Sequence, residues 1–271
     1  ILYAPPNPCA CYTQSSLDGF NAVTGYNAAW AKVVEKQKAR DFVRGTAVSD
    51  RRVSAPSAVE TQSWPVYRRD NKRSGSTPAK VALPLAVRWR TKGYENLTAP
   101  VAAAGCCVFA EKDRHTVHCL DAKSGKAQWS YVAGGRIDSP PAISGNSLYF
   151  GCGDGWLYRL AISTGKLVWK RRIAPASLSL FDHGQPASIW PLSGSVLVQD
   201  GKVYCLAGRS SFLDGGMRLT VVDAASGAVL KTNVMDHLDP DNGKDMHQHV
   251  AMQNLPVSLP DLLSSDGKNL Y

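Results

Sequence analysis

Leu120-Asp121-Ala122-Lys123-Ser124-Gly125-Lys126-Ala127-Gln128-Trp129 returns forty residues later as Leu160-Ala161-Ile162-Ser163-Thr164-Gly165-Lys166-Leu167-Val168-Trp169. Leucine, glycine, lysine and tryptophan keep their places. Trp89 lies one further step of the same length upstream, and the register extends to the pairs Gly105/Gly145 and Pro100/Pro140. Self-similarity at this period marks a repeat architecture and has to be read before any local motif.

Each unit contains four short strand candidates, A to D. In the second unit they are residues 139–143, 147–151, 156–161 and 167–171. The turns Ser144-Gly145-Asn146, Gly153-Asp154-Gly155 and Ser163-Thr164-Gly165 separate them. Four strands in about forty residues fit one propeller blade. Leucine-rich repeats are shorter, and helical repeats carry a 3.6-residue period that is missing here. The fold expected is all-β: a partial β-propeller of four-stranded antiparallel blades, about three complete. Strand D lies outermost. Trp89, Trp129 and Trp169 are expected there, covering the turn and packing on the adjacent blade, with the glycine four residues earlier suited to a left-handed turn position. The third unit keeps Asp223 and Gly227 but has Lys231 in place of the tryptophan.

The ten residues from Leu120 to Trp129 resemble the repeat of the pyrroloquinoline-quinone-like (PQQ-like) β-propellers, a family that includes quinoprotein alcohol dehydrogenases and the outer-membrane assembly lipoprotein BamB. Trp64-Pro65-Val66-Tyr67-Arg68-Arg69-Asp70 with Arg73-Ser74-Gly75 is similar to the start of such domains in large bacterial multidomain proteins. The resemblance runs from Trp64 to Tyr271. It implies the propeller fold and an extracytoplasmic setting. For function it implies either a non-catalytic binding or scaffolding module or a PQQ-dependent alcohol or sugar dehydrogenase using PQQ with Ca²⁺.

Three regions are expected: residues 1–25 as the tail of an upstream propeller, 26–62 as a linker, and 63–271 as a propeller fragment. Ile1-Leu2-Tyr3-Ala4 reads as a B strand and residues 19–25 as a C strand with its turn. Residues 28–40 read as a helix, against an alternative outer strand over 27–34. Residues 87–92 read as a D strand without its inner three. A fourth unit opens near Asp261, with Gly267 in the place of Gly201. The chain is expected to be an excerpt of a longer polypeptide, the remaining blades being its first partners.

In up-and-down blades the D–A and B–C connections share one end of the ring, and the insertions here all fall on them. They precede Ser195, occupy the third B–C loop and precede Asp261, while the A–B and C–D turns stay short. Long loops on a rigid scaffold are where binding concentrates. The candidate ligand-binding residues on that face are Arg136 and Asp138 at the mouth of the second A strand, His183 and Trp190 before the third, and Arg209 and Asp214 in the third B–C loop. The ligand expected is a protein or a saccharide. The competing reading makes Arg209 and Asp214 a loop-stabilising pair and Trp190 a cover over the mouth.

No catalytic residue and no metal site is assigned. Cys106-Cys107 resembles the adjacent-cysteine disulfide of quinoprotein dehydrogenases, yet it aligns with the start of a B strand, where successive side chains face opposite ways. Cys9-x-Cys11 offers two sulfurs, too few for a zinc site alone. The run from Asp239 to Asp245 has Lys244 where a calcium loop wants glycine, and His247-x-His249 follows it. Seven cysteines in 271 residues make no disulfide framework. No apolar run is long enough to span a membrane. The net charge of +9 is concentrated: 15 basic and 5 acidic residues fall between Lys32 and Lys92. Such a stretch suits nucleic acid or, more simply, a solvated linker and outer edge, and no nucleic-acid-reading motif accompanies it.

Overall fold

A computed structural model describes residues 2–4, 21–23, 41–47, 63–80, 83–246 and 262–271. The helix reading of 28–40, Cys9, Cys11, His247 and His249 lie outside the described residues. β1 (Leu2–Ala4) pairs antiparallel with β2 (Asn21–Val23), the partnership expected of neighbouring B and C strands. β3 (Phe42–Arg44) joins the sheet of the second blade.

Three blades follow, each a four-strand antiparallel meander. The first is β4 (Val101–Ala103), β5 (Cys106–Glu111), β6 (Thr116–Asp121) and β7 (Ala127–Val132). The second is β8 (Ala142–Ser144), β9 (Ser147–Gly151), β10 (Trp156–Ala161) and β11 (Leu167–Arg172). A hairpin of β12 (Ser179–Asp182) and β13 (Gln185–Ser188) stands between the second and third blades. The third is β14 (Leu197–Gln199), β15 (Lys202–Ala207), β16 (Met217–Asp223) and β17 (Val229–Met235). A further hairpin starts a fourth unit, bridging Ser265 to Leu270 around Gly267. The architecture is a partial β-propeller.

First strands neighbour one another, β4 beside β8 and β8 beside β14, so they form the inner edge. Two apolar seams join the blades. Val108, Cys119, Leu148, Phe150 and Leu160 fill the seam between blades one and two; Tyr149, Leu157, Trp169, Val203 and Val222 fill that between two and three. Blade two is therefore buried on both faces, and alternate residues of β9 serve opposite seams.

The outer tryptophans dock as the repeat requires. Trp89 donates its indole N–H to the Ala122 carbonyl at 3.1 Å, and Trp129 does the same to Ile162 at 2.7 Å. Each ring covers the glycine of the next C–D turn: a Cβ on Gly125 would lie 2.6 Å from the Trp89 ring, and one on Gly165 would lie 2.5 Å from that of Trp129. The third instance departs. Trp169 and Phe42 both cover Gly227, but the Tyr149 hydroxyl takes the Ala224 carbonyl at 3.1 Å, leaving the buried Trp169 N–H without a partner.

Two expectations need correction. Among the described residues, 87–92 pair in no ladder; Trp89 docks nonetheless. Residues 42–44, inside the span read as linker, form β3 and extend blade two to five strands, with Trp169 opposite Arg44 and Arg171 opposite Phe42. Three residues are too few to show a period in sequence. They are held by the free edge of β11, by Phe42 on Gly227, and by Arg171, which lies over the Phe42 ring and 3.0 Å from Asp41.

The segment that opens the resemblance closes the inner edge. Trp64 exchanges both backbone hydrogen bonds with Ala102 of β4, and the Pro65 carbonyl accepts from Ile143 of β8. The Asn71 side chain donates to Val198 of β14, and the Asn71 carbonyl accepts from Ser265 of the fourth unit. One short segment thus ties four units along the axis.

Candidate functional site

The insertion before Ser195 crosses the long-loop end of blade two and reaches both neighbours. On one side Gln185 of β13 contacts the His115 ring at 2.5 Å and donates to the Asp113 carbonyl at 3.1 Å, both in the first B–C loop. In the middle, Ser188 and Leu192 donate backbone hydrogen bonds to the Gly153 and Cys152 carbonyls. On the other side the buried Trp190 donates its indole N–H to the Asp214 carbonyl at 2.8 Å. A single loop therefore fastens three blades at this end.

The six candidate residues fall into two groups. Arg136 bridges Asp138, 2.5 Å from its Nε, and Asp113, held through Nη1. Asn96 also donates to Asp113, whose carboxyl is held below its ordinary value by that bond first and by the Arg136 and His183 charges after it. His183 stands 3.0 Å from Asp182 through Nδ1 and is close enough to act on Asp113. Arg136, Asp138 and His183 thus share a rim over blades one and two.

The second group lies over blades two and three. Arg209 and Asp214 form an ion pair at 2.7 Å, and the Asp214 backbone receives Trp190. Arg218 lies 5.8 Å over the Trp190 ring, its ionisation disfavoured by burial and supported by Asp236. The loop-stabilising pair is present, and the buried Arg209 Nε keeps no hydrogen-bond partner. This arrangement leaves one directed donor beside a fixed carboxylate, enough to orient a polar ligand group.

Sequence reasoning missed Asp113, Asn96 and Gln185. Asp113 sits in a B–C loop, so the rule that selected the long-loop face could have found it; nothing local marks Asn96 or Gln185. It also missed the content of Gly153-Asp154-Gly155, read as a turn. Asp154 is buried, accepts the Tyr158 hydroxyl at 2.5 Å and the Trp156 N–H at 3.1 Å, and packs against Gly134 and Gly135. Burial raises its carboxyl above the ordinary value against those hydrogen bonds. Burial likewise pushes the neighbouring Cys152 thiol up, so neither group is a ready nucleophile.

The described residues do not fit a quinone–calcium centre. Cys106 and Cys107 lie in a regular ladder opposite Asp121 and Leu120, beside the short Ala104-Gly105 turn. Cys106 packs into the seam between blades one and two while Cys107 faces away, half-buried, so the pair is on opposite faces of a regular strand. Among the described residues no three His, Cys, Asp or Glu side chains stand together as a metal ligand set. Nor is any helix of the described residues long and apolar enough to cross a membrane.

Comparison with known proteins agrees with the architecture. The family model described as "Outer membrane protein assembly factor BamB" matches residues 84–261. The chain is 33% identical over 153 residues to the quinoprotein ethanol dehydrogenase of Pseudomonas aeruginosa, covering 51% of this chain and 23% of that one. It is 29% identical over 132 residues to the outer membrane protein assembly factor BamB of Yersinia pestis, covering 48% of this chain and 33% of that one. The chain thus spans a third or less of the curated relatives it matches. The solved quinohemoprotein alcohol dehydrogenase of Comamonas testosteroni superposes with a TM-score of 0.52 at 22% identity, over 70% of this chain and 31% of that structure, a likeness of fold. Repeat, radial blades and matched model converge: the chain belongs to the PQQ-like β-propeller family of BamB and the quinoprotein alcohol dehydrogenases.

Proposed function

We propose that this chain is part of a non-catalytic propeller that binds or scaffolds a partner, a protein or a saccharide, through its long-loop face. The observation that carries this reading is Phe181. It is 64% exposed on β12, opposite Pro186, in a hairpin whose tip reaches blade one through Gln185 and whose base is held to blade two through Ser188, with Trp190 just beyond it reaching blade three. An exposed aromatic on a fastened hairpin, with charged groups on the same face, has the form of a recognition anchor with a polar rim. Arg136, Asp138 and His183 supply the rim on one side, Arg209 and Asp214 on the other. The remaining blades of the same polypeptide complete the ring, and β1 with β2 belongs to a propeller upstream. The setting is extracytoplasmic.

The 33% identity to a quinoprotein ethanol dehydrogenase favours a second reading, an alcohol- or sugar-oxidising enzyme whose quinone site lies in blades outside this chain. One experiment separates the two. A photo-crosslinking phenylalanine analogue is placed at Phe181 in the full-length protein, with the same analogue at exposed Lys123 of the short-turn end as control, and a glycan array covers saccharides. A crosslink at 181 but not at 123, or glycan binding lost in Phe181→Ala, is the expected result. Bound-quinone absorbance with dye-linked alcohol oxidation, after reconstitution with PQQ and Ca²⁺, overturns the proposal.

A further inference from the structure

The loop from Val66 to Gly75 sits on the inner edge of the blades and is closed on itself. Arg69 N–H donates to the Val66 carbonyl at 2.9 Å, Arg73 N–H to Asp70 at 3.0 Å and Gly75 N–H to Arg68 at 2.9 Å. Arg68, Arg69 and Arg73 hold φ of 54°, 79° and 57°. Three non-glycine residues in the left-handed region within six positions are unusual, and such strain gathers at ligand clamps.

Arg73 is 6% exposed. Its Nε donates to the Leu263 carbonyl at 2.9 Å and its Nη1 to the Tyr67 carbonyl at 3.1 Å, while the buried Nη2 has no partner. Four residues away, the buried Arg69 Nε has none either. Carbonyls fix the guanidinium but do not neutralise it. Asp70 is near enough to act on the Arg73 charge, but its carboxylate accepts the Ser74 hydroxyl at 2.5 Å and the Ser74 N–H at 3.0 Å, and its ion pair is with Arg69 at 3.7 Å. A buried, fixed cation with free N–H groups is the recognition element for a carboxylate or phosphate, which accept a planar fork in bidentate fashion. Burial lowers the Arg73 basicity, as expected of a desolvated cation lacking its counter-ion.

We propose that Arg73, with Arg69 in the same loop, forms an oxyanion-binding site at the axis of the ring, taking a carboxylate or a phosphate group. The site is independent of the long-loop face and of the function proposed for it. Its place explains why the segment is rich in arginine: part of the basic surplus is built into the inner edge rather than displayed.

The test uses full-length protein titrated with inorganic phosphate and, separately, acetate, each against potassium chloride at matched ionic strength. Thermal unfolding and calorimetry are the readouts. At least one anion is expected to raise Tm in a saturable way, since a ligand bound to the folded state stabilises it by mass action. Response to phosphate alone assigns a phosphate ligand, and response to acetate assigns a carboxylate. Arg73→Lys is expected to weaken binding by about tenfold or more, because lysine lacks the fork. Arg69→Gln, at a partly exposed position, is expected to weaken it while keeping the fold. A Tm that follows chloride for both anions overturns the proposal, including the case in which a carboxylate of the same polypeptide already fills the place. So does anion binding that neither substitution alters.

Discussion

At the short-turn end of the blades, Gly125, Gly165 and Gly227 each lie under an indole from the preceding outer strand, and two of those indoles donate to equivalent carbonyls. At the long-loop end no two connections match. One holds Asp113, another Asp154, a third the Arg209–Asp214 pair, and the hairpin from Ser179 to Ser188 lies against two of the blades. The same strands feed both ends. One end repeats because every blade must dock on the next in the same way; the other diverges because its loops are free of that duty.

The comparison predicts that damage at the docking end is the costlier. Trp169 is 2% exposed and joins blade two to blade three. Trp169→Ala is expected to destabilise by about 3–5 kcal/mol, read as a lower urea midpoint, because it opens a cavity at a seam. A loss below about 1 kcal/mol would show that the indole is not what holds those blades together.

A paired glycine test sharpens the point. Gly165 and Gly105 hold φ of 67° and 77°, so alanine strains both backbones. Only at Gly165 does the new Cβ meet a ring; at Gly105 nothing lies within 4 Å. Gly105→Ala is expected to cost about 1 kcal/mol, and Gly165→Ala about 2–4 kcal/mol, the difference being overpacking against Trp129. Equal costs would refute the docking account.

The smallest effect belongs to the long-loop end. The Asp113 carboxyl is depressed in the folded state, so its contribution is present above the ordinary value of 3.8 and lost as pH falls below it. Asp113→Asn should therefore match wild type less well near neutrality and converge with it at the acid end. The gap should stay under about 1 kcal/mol, since Asp113 is half-exposed and water screens its pairing with Arg136. A gap that widens as pH falls would contradict the assignment.

Legibility in the sequence followed the same division. Trp89, Trp129 and Trp169 were readable because their neighbours recur in register, and the A–B hairpin at Gly267 was readable for the same reason. β3 was not, being three residues that are strand only because β11 offers an edge. Counting insertions picked out the long-loop face, and Arg136, Asp138, His183, Trp190, Arg209 and Asp214 were named as candidates on it. Their division into two groups was not readable, because it depends on where the insertion before Ser195 turns back. Asn96 and Gln185 join Asp113 from positions 17 and 72 residues away.

The sequence alone determined the blades, their order and the end at which the loops gather, because a repeated docking contact forces a repeated set of residues. Only the tertiary structure decided what closes the inner edge, which charges meet at the long-loop end and which arginine is buried with a guanidinium nitrogen unpaired. Those contacts join residues far apart in the chain, once each, and a contact made once leaves no period to read.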